Sequence, residues 1–286
     1  MRAQLARDLV TLIPPLQALR KRRYERAFRS HLGLVRGVFT DFEQARRSAP
    51  AGKPVGMDSP EYVDHHTDRA DYIQAYDYPF LFWLERILVR SARVFDFGGN
   101  VGVHYFAYAP YLAYPPDLSW VVCELPNIVR DGERIALERQ AHQLTFTTRF
   151  GDAEAADVLI ASGALQYVEQ SLEEMLGALR CQPRHLLLNK LPLYDGEPFV
   201  TLQNGGPVFA PQHVFNRAEL LGALQNLGYE LVNAWDVPGF SCFVPFQAGR
   251  AVRTYSGLYL RLASTGATVE TGAHETPETL HNSSST

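Results

Sequence analysis

The stretch Arg93-Val94-Phe95-Asp96-Phe97-Gly98-Gly99-Asn100-Val101-Gly102 decides how this chain is read. Val94 to Phe97 is an apolar, β-type run that carries one acid and then breaks into glycines. After Gly102 the apolar spacing turns helical, with Val103, Phe106, Ala107 and Tyr108 ahead of Pro110. A strand, a tight turn and a helix set backbone N–H groups at a helix N-terminus against a ligand. Glycine permits close main-chain approach and positive φ. Asn100 is the non-glycine type that best tolerates the left-handed region.

Downstream, the same alternation repeats. Tyr114-Pro115-Pro116-Asp117 is a turn, and Leu118 to Glu124 reads as a buried strand ending in an acid. A helix over Ile128 to Gln140 leads to a strand over Leu144 to Phe150, closed by Gly151-Asp152. Asp157 to Ser162 is the fourth strand, Leu172 to Leu179 a helix and His185 to Asn189 the fifth strand. A helix over Arg217 to Leu227, capped by Asn216 and closed by Gly228, precedes two strands, Tyr229 to Val237 and Tyr255 to Leu262. Strands alternating with helices demand a parallel sheet with right-handed crossovers and helices on both faces. The predicted class is α/β: a Rossmann-like, doubly wound, mostly parallel seven-stranded sheet with an antiparallel edge hairpin and an N-terminal helical extension. The expected division is a basic helical arm and linker (1–50), a helical cap segment (51–92), the main domain (93–263) and a disordered tail (264–286), the last for want of apolar groups.

The dinucleotide fingerprint G-x-G-x-x-G fails at the turn, because Asn100 and Val103 hold its second and third glycine places. That disfavours an NAD-dependent oxidoreductase. The spacing present, Asp96-x-Gly98-x-Asn100-x-Gly102, resembles motif I of the class I S-adenosylmethionine-dependent methyltransferases, with Asn100 in place of the middle glycine. The resemblance covers about residues 93–262. It is nearest to a group of bacterial methyltransferases with Asp-Phe-Gly-Gly-Asn-x-Gly and a Ser-Gly-x-Leu-Gln-Tyr segment, here Ser162 to Tyr167. It implies S-adenosylmethionine as cofactor and methyl transfer to a small-molecule or envelope- or saccharide-linked acceptor.

The implied cofactor residues are Asp96, Gly98, Gly99, Asn100, Gly102, Glu124, Asp152 and Ser162. A carboxylate ending the next strand accepts hydrogen bonds from ribose hydroxyls, which suits Glu124. It stands 28 residues after Asp96, a wide gap that the Tyr114-Pro115-Pro116 loop absorbs. Glu124-Leu125-Pro126 also resembles the acid-Leu-Pro of small-molecule O-methyltransferases. In that group a Gly-Asp after the third strand sets its carboxylate near the adenine amino group, and Asp152 takes that place. An ionised Asp is acceptor-only, which matches an exocyclic amine. Gln166 falls where plant-type O-methyltransferases carry a His general base. An amide takes no proton at neutral pH, so Gln166 is expected to orient substrate, with Tyr167, Gln203 and His104.

Residues 191–217 read as a long loop at the ligand-binding end of the sheet, with Pro192, Pro198, Gly205, Gly206, Pro207 and Pro211 among polar groups. Lys190, Tyr194, Thr201, Gln203, Asn204 and His213 are its candidates for substrate contact. His213 is its one histidine and the candidate catalytic base.

Hydrophobic content of 46% supports a sizeable core, and no apolar run approaches a membrane span. Residues 1–50 hold 11 Lys and Arg against 4 Asp and Glu, a net of +7. Against a total of −4, the rest carries −11. An acidic body argues against nucleic acid as partner. Residues 1–32 read as a helix interrupted at Pro14-Pro15, with Arg20 to Arg23, Arg26 and Arg29 as a basic cluster. The favoured reading is a solvated helix packed on the body or on a second subunit; the sharper one is peripheral contact with anionic lipid. Tyr76 to Leu88 is a dense aromatic-aliphatic segment, expected to pack on the sheet, with some tyrosines at a substrate mouth. Cys123, Cys181 and Cys242 are widely spaced in apolar surroundings and read as reduced core residues. No signal sequence is apparent, so a cytoplasmic location is expected, extending to the inner membrane face through the arm. Asp64-His65-His66-Thr67-Asp68 invites a metal reading, but adjacent histidines point to different faces of a helix, and no metal is expected. A catalytically silent scaffold with the same fold is the rival from another functional class.

Overall fold

The computed structural model describes residues 14–57, 73–90 and 93–263. In chain order the elements are α1 (Pro14–Ser30), β1 (Val35–Phe39), α2 (Phe42–Arg47), α3 (Tyr78–Leu88), β2 (Arg93–Phe97), α4 (Val103–Tyr108), β3 (Ser119–Cys123), α5 (Pro126–Glu138), β4 (Leu144–Thr147) and β5 (Val158–Ser162). There follow α6 (Leu172–Gly177), β6 (His185–Leu191), β7 (Leu193–Tyr194), β8 (Phe199–Asn204), β9 (Phe209–Asn216), α7 (Arg217–Asn226), β10 (Tyr229–Val237), β11 (Cys242–Phe243), β12 (Ala251–Val252) and β13 (Tyr255–Leu262).

Seven strands form the main sheet in the order β10-β13-β6-β5-β2-β3-β4. The pairs β2–β3, β3–β4, β2–β5 and β5–β6 are parallel. β13 runs antiparallel to both β6 and β10. This is the doubly wound, mostly parallel sheet with an antiparallel edge hairpin that the alternating pattern predicts; β13 alone runs against the other six strands. From β2 the chain builds outward through β3 and β4, then returns to build the other half from β5. The carboxyl ends of β2 and β5 therefore flank a topological switch point, where such sheets bind ligands.

The central strands are apolar without alternation because both faces are covered. Val158 to Ala161 of β5 and Leu186 to Leu188 of β6 are all buried. One face packs against Phe80, Leu84, Tyr105, Tyr108 and Trp120. The other packs against Leu172, Met175, Leu176, Leu220 and Leu224. α6 starts at a Ser171–Glu174 capping box, and Asn216 caps α7 by accepting from the Glu219 N–H.

Residues 191–217 are not a loop. β7, β8 and β9 join β1 in a second sheet of order β1-β8-β9-β7. Its prolines and polar groups hid the strands: Pro211 pairs with Leu202 in the β8–β9 ladder, and Thr201, Asn204 and Gln212 are fully buried. The connector over 33–60 likewise supplies β1, which pairs with β8. Pro14-Pro15 stands in the first turn of α1, where a missing N–H is harmless. α1 packs on the second sheet through Phe28, stacked on Phe209 at 5.2 Å, and through Tyr24, whose hydroxyl donates to Val35 O at 2.7 Å. Cys123 and Cys242 are core residues as expected, whereas Cys181 is exposed. The histidine pair at 65–66, residues 1–13 and the tail 264–286 lie outside the described residues. Among the described residues no helix is long and apolar enough to cross a membrane.

Candidate functional site

A cavity of about 600 Å³ opens at the switch point, within the usual size of a small-molecule site. One wall is the turn after β2, with Gly99, Asn100 and His104; another is Ser162, Gly163, Gln166 and Tyr167 after β5. Lys190 at the end of β6 and Gln203 of β8 complete it from the sides. A hollow of about 750 Å³ around Arg93 and Asp157 lies at the amino ends of β2 and β5. Ligands of open α/β sheets bind outside the carboxyl ends, which selects the first cavity.

The turn is built on Asp96. Its carboxylate is completely buried, with His104 Nδ1 3.0 Å from each oxygen and Trp120 Nε1 donating to Oδ2 at 3.2 Å. A Cβ on Gly99 would stand 2.3 Å from Asp96 Oδ2, so only glycine lets the chain pass over the acid. Asn100 is left-handed, at φ 54°, and its side chain accepts from the Val101 N–H at 2.7 Å. Gly98 donates its N–H to Cys123 O at 2.9 Å, and Gly102 heads α4. Asp96, Gly98 and Gly102 support the turn from beneath and do not line the cavity.

Glu124 follows β3 and is half-buried. Its carboxylate accepts from the N–H of Asn100 at 3.1 Å and of Leu125 at 2.9 Å, which ties the end of β3 to the glycine turn. Burial raises its pKa, against the lowering effect of those two bonds. Asp152 sits in a short 3-10 turn after β4. It accepts from Thr147 Oγ1 and from the Arg149 guanidinium, both at 2.6 Å, and the Thr147 bond first, then Arg149, holds its pKa below the ordinary value. Because β2, β3 and β4 are parallel, Asp96, Glu124 and Asp152 all stand at the carboxyl edge. Asp96 alone is sunk into the core.

Two lining residues carry buried polar atoms with no partner among the described residues, Ser162 Oγ and Gln166 Oε1. Gln166 is only 3% exposed. Tyr167 reaches across to the second sheet, its hydroxyl donating to Gln203 Oε1 at 2.7 Å. The candidate base His213 faces elsewhere. Its ring packs between Phe42 and Phe215 on β9 and lines a separate cleft of about 180 Å³ with Glu169 and Glu219. Burial lowers its pKa. Several lining residues enter only through the fold, among them Leu32 and Leu34 before β1, and Phe240 and Tyr255 on either side of the β11–β12 hairpin. No local sequence signal marks them.

No family model matches this chain, and no curated protein matches it. Solved structures do resemble it. The Burkholderia thailandensis 1,6-didemethyltoxoflavin-N1-methyltransferase, bound to 1,6-didemethyltoxoflavin and S-adenosylhomocysteine, is 16% identical, with a TM-score of 0.46 over 66% of this chain and 79% of that one. A S-adenosylmethionine-dependent methyltransferase from Clostridium acetobutylicum ATCC 824 is 8% identical, with a TM-score of 0.44 over 69% and 95%. A SAM-dependent methyltransferase from Aquifex aeolicus is 11% identical, with a TM-score of 0.42 over 64% and 88%. The fold assignment rests on strand order, and the functional reading rests on the cavity.

Proposed function

We propose that the protein transfers a methyl group from S-adenosylmethionine to a small-molecule acceptor held in the switch-point cavity. The observation that carries this is the pairing of buried Ser162 Oγ and Gln166 Oε1, which have no partner among the described residues, with a glycine turn across one cavity. Unpaired buried acceptors are costly and are retained where a ligand supplies the donor. S-adenosylmethionine offers such a donor in its amino group, and the chain has acceptors suited to the rest of it. Glu124 would accept from the ribose hydroxyls, Asp152 from the adenine amine, and the backbone of Gly98 to Gly102 would take the amino-acid portion. Bound there, the cofactor supplies an electrophilic methyl group on a sulfonium.

The chain's own part is positioning and exclusion of water, since methyl transfer needs in-line approach more than acid–base chemistry. Tyr167 and Gln203 would hold the acceptor from the second sheet. His104 has Nδ1 committed to Asp96, so Nε2 is the nitrogen left to meet a ligand. His213 has no part in this reading. Thermal melts test it: S-adenosylhomocysteine at about 100 times its Kd stabilises by about 2.7 kcal/mol. NAD is expected to leave the midpoint unchanged, and stabilisation by NAD alone overturns the proposal.

A second reading concerns α1. Leu16 and Leu19 are exposed beside Arg20, Lys21, Arg22 and Arg23, while Tyr24 and Phe28 hold the helix to the body. That leaves an apolar and basic surface suited to anionic lipid. Flotation with phosphatidylserine liposomes should retain the full chain and lose it at high salt; no retention removes this reading.

A further inference from the structure

Leu32, Gly33 and Leu34, just past the end of α1, line the switch-point cavity. Gly239, Phe240 and Ser241, which lead into β11, line it too. The two segments also meet outside it. The Tyr24 ring of α1 and the Phe246 ring, in the turn between β11 and β12, stand edge to face with centres 6.1 Å apart. Helix and hairpin are therefore neighbours, and both border the same opening.

The exposed side chains around this opening are of two kinds. The apolar ones are Leu32, 68% exposed, Phe243, 54%, and Phe246, 48%. Leu16 and Leu19 continue them along α1. Contiguous exposed apolar surface marks an interaction site. Phe246 also holds a left-handed backbone, at φ 63°. That conformation is costly for a bulky side chain, and such strain gathers at binding sites. The others are cations. Residues 14–34 and 238–254 together hold eight Lys and Arg against one acid, Glu25, a net of +7. Against a total of −4, the rest of the chain carries −11. Arg250 is tied to Glu197 at 2.8 Å, and Glu25 to Arg36 at 3.4 Å. Arg20 to Arg23, Arg26 and Arg29 are exposed along α1.

A bilayer of anionic lipid answers both kinds at once. Its headgroups attract a basic cluster, and phenylalanine and leucine enter the boundary with the acyl chains. Long cationic side chains lay their stems on that boundary and keep their charged heads in the headgroup layer. The same surface repels the acidic remainder of the chain, which selects one orientation. Resting on the lipid reading of α1, we propose that the β11–β12 hairpin is a second, apolar anchor. Helix and hairpin form one docking face for an anionic bilayer, with the cavity mouth turned toward the lipid. Phe243 and Phe246 enter the bilayer, and α1 lies along the headgroups.

Vesicles of equal parts phosphatidylcholine and phosphatidylserine test this on the full chain. In sedimentation, Phe243→Ser with Phe246→Ser should bind at least about tenfold more weakly than the parent, from lost apolar burial, and keep its response to salt. Arg22→Glu with Arg26→Glu should bind at least about thirtyfold more weakly, from lost attraction to the headgroups. Hydrogen exchange of the unmodified chain should slow over residues 31–34 and 239–246 when vesicles are added, and stay unchanged over α5. Equal binding by the phenylalanine variant, or no slowing over 239–246 in the vesicle-bound chain, overturns the proposal and leaves the α1 reading standing. Slowing that follows protein concentration rather than vesicles also overturns it and makes a second copy the occupant. No vesicle binding by the unmodified chain overturns the α1 reading itself, and this proposal with it.

Discussion

His104 Nδ1 lies 3.0 Å from both carboxylate oxygens of Asp96, and the pair closes the floor of the glycine turn. The sequence marks Asp96 as a cofactor ligand by its place in the motif. In the fold it is a buried acceptor that joins α4 and Trp120 of β3 to β2. Asp96→Ala leaves two buried donors unpaired, each worth about 1–3 kcal/mol. The variant is thus expected to lose stability in urea titration, and any loss of cofactor affinity follows from a loosened turn. A variant as stable as the parent contradicts this role.

Gly99→Ala presses on the same floor. The added methyl would meet a carboxylate that His104 and Trp120 already hold, so the turn must shift. Overpacking of this kind costs about 1–3 kcal/mol. A lower melting temperature and weaker cofactor binding are expected together.

Glu124 gives the pH dependence. In the proposed reading its ionised form would accept from the ribose hydroxyls, and burial raises its pKa in the free protein. As pH falls through that raised pKa, binding must expel a proton. Affinity for S-adenosylhomocysteine should therefore begin to fall above the ordinary carboxylate range, approaching about tenfold per pH unit by linkage. Glu124→Gln should bind more weakly at neutral pH and show a flatter profile; an unchanged profile would refute the assignment.

Tyr167→Phe removes the hydroxyl that spans the two sheets to Gln203. A loss of about 0.5–1.5 kcal/mol in stability is expected. Once an acceptor is known, its KM should rise while cofactor affinity stays constant, as steady-state kinetics and calorimetry would show.

The main sheet was legible because its signals are local. The apolar runs at 158–161 and 186–188, the caps at Ser171 and Asn216, and the turn glycines each state their own element. Asn100 was legible as a left-handed residue, and φ 54° is what it adopts. Lys190, a residue type without that tolerance, carries no such mark, yet it too is left-handed at φ 57°. The second sheet was illegible because its pairings are not local: β1 and β8 pair across about 160 residues, and buried Thr201, Asn204 and Gln212 look like surface groups until their partners are known. His213 suited a base by type and place, yet β9 turns it into a different cleft.

The proposed function depends on Glu124 and the turn above Asp96 together holding S-adenosylmethionine, the first by its ribose and the second by its amino-acid portion. Calorimetric titration with S-adenosylhomocysteine, on the full chain and on Glu124→Ala with its fold verified by circular dichroism, tests it most directly. One site per chain in the parent, and at least about tenfold weaker binding in the variant from the loss of charged hydrogen bonds, is the predicted result. No heat of binding in the parent, or equal affinity in the two proteins, would contradict it.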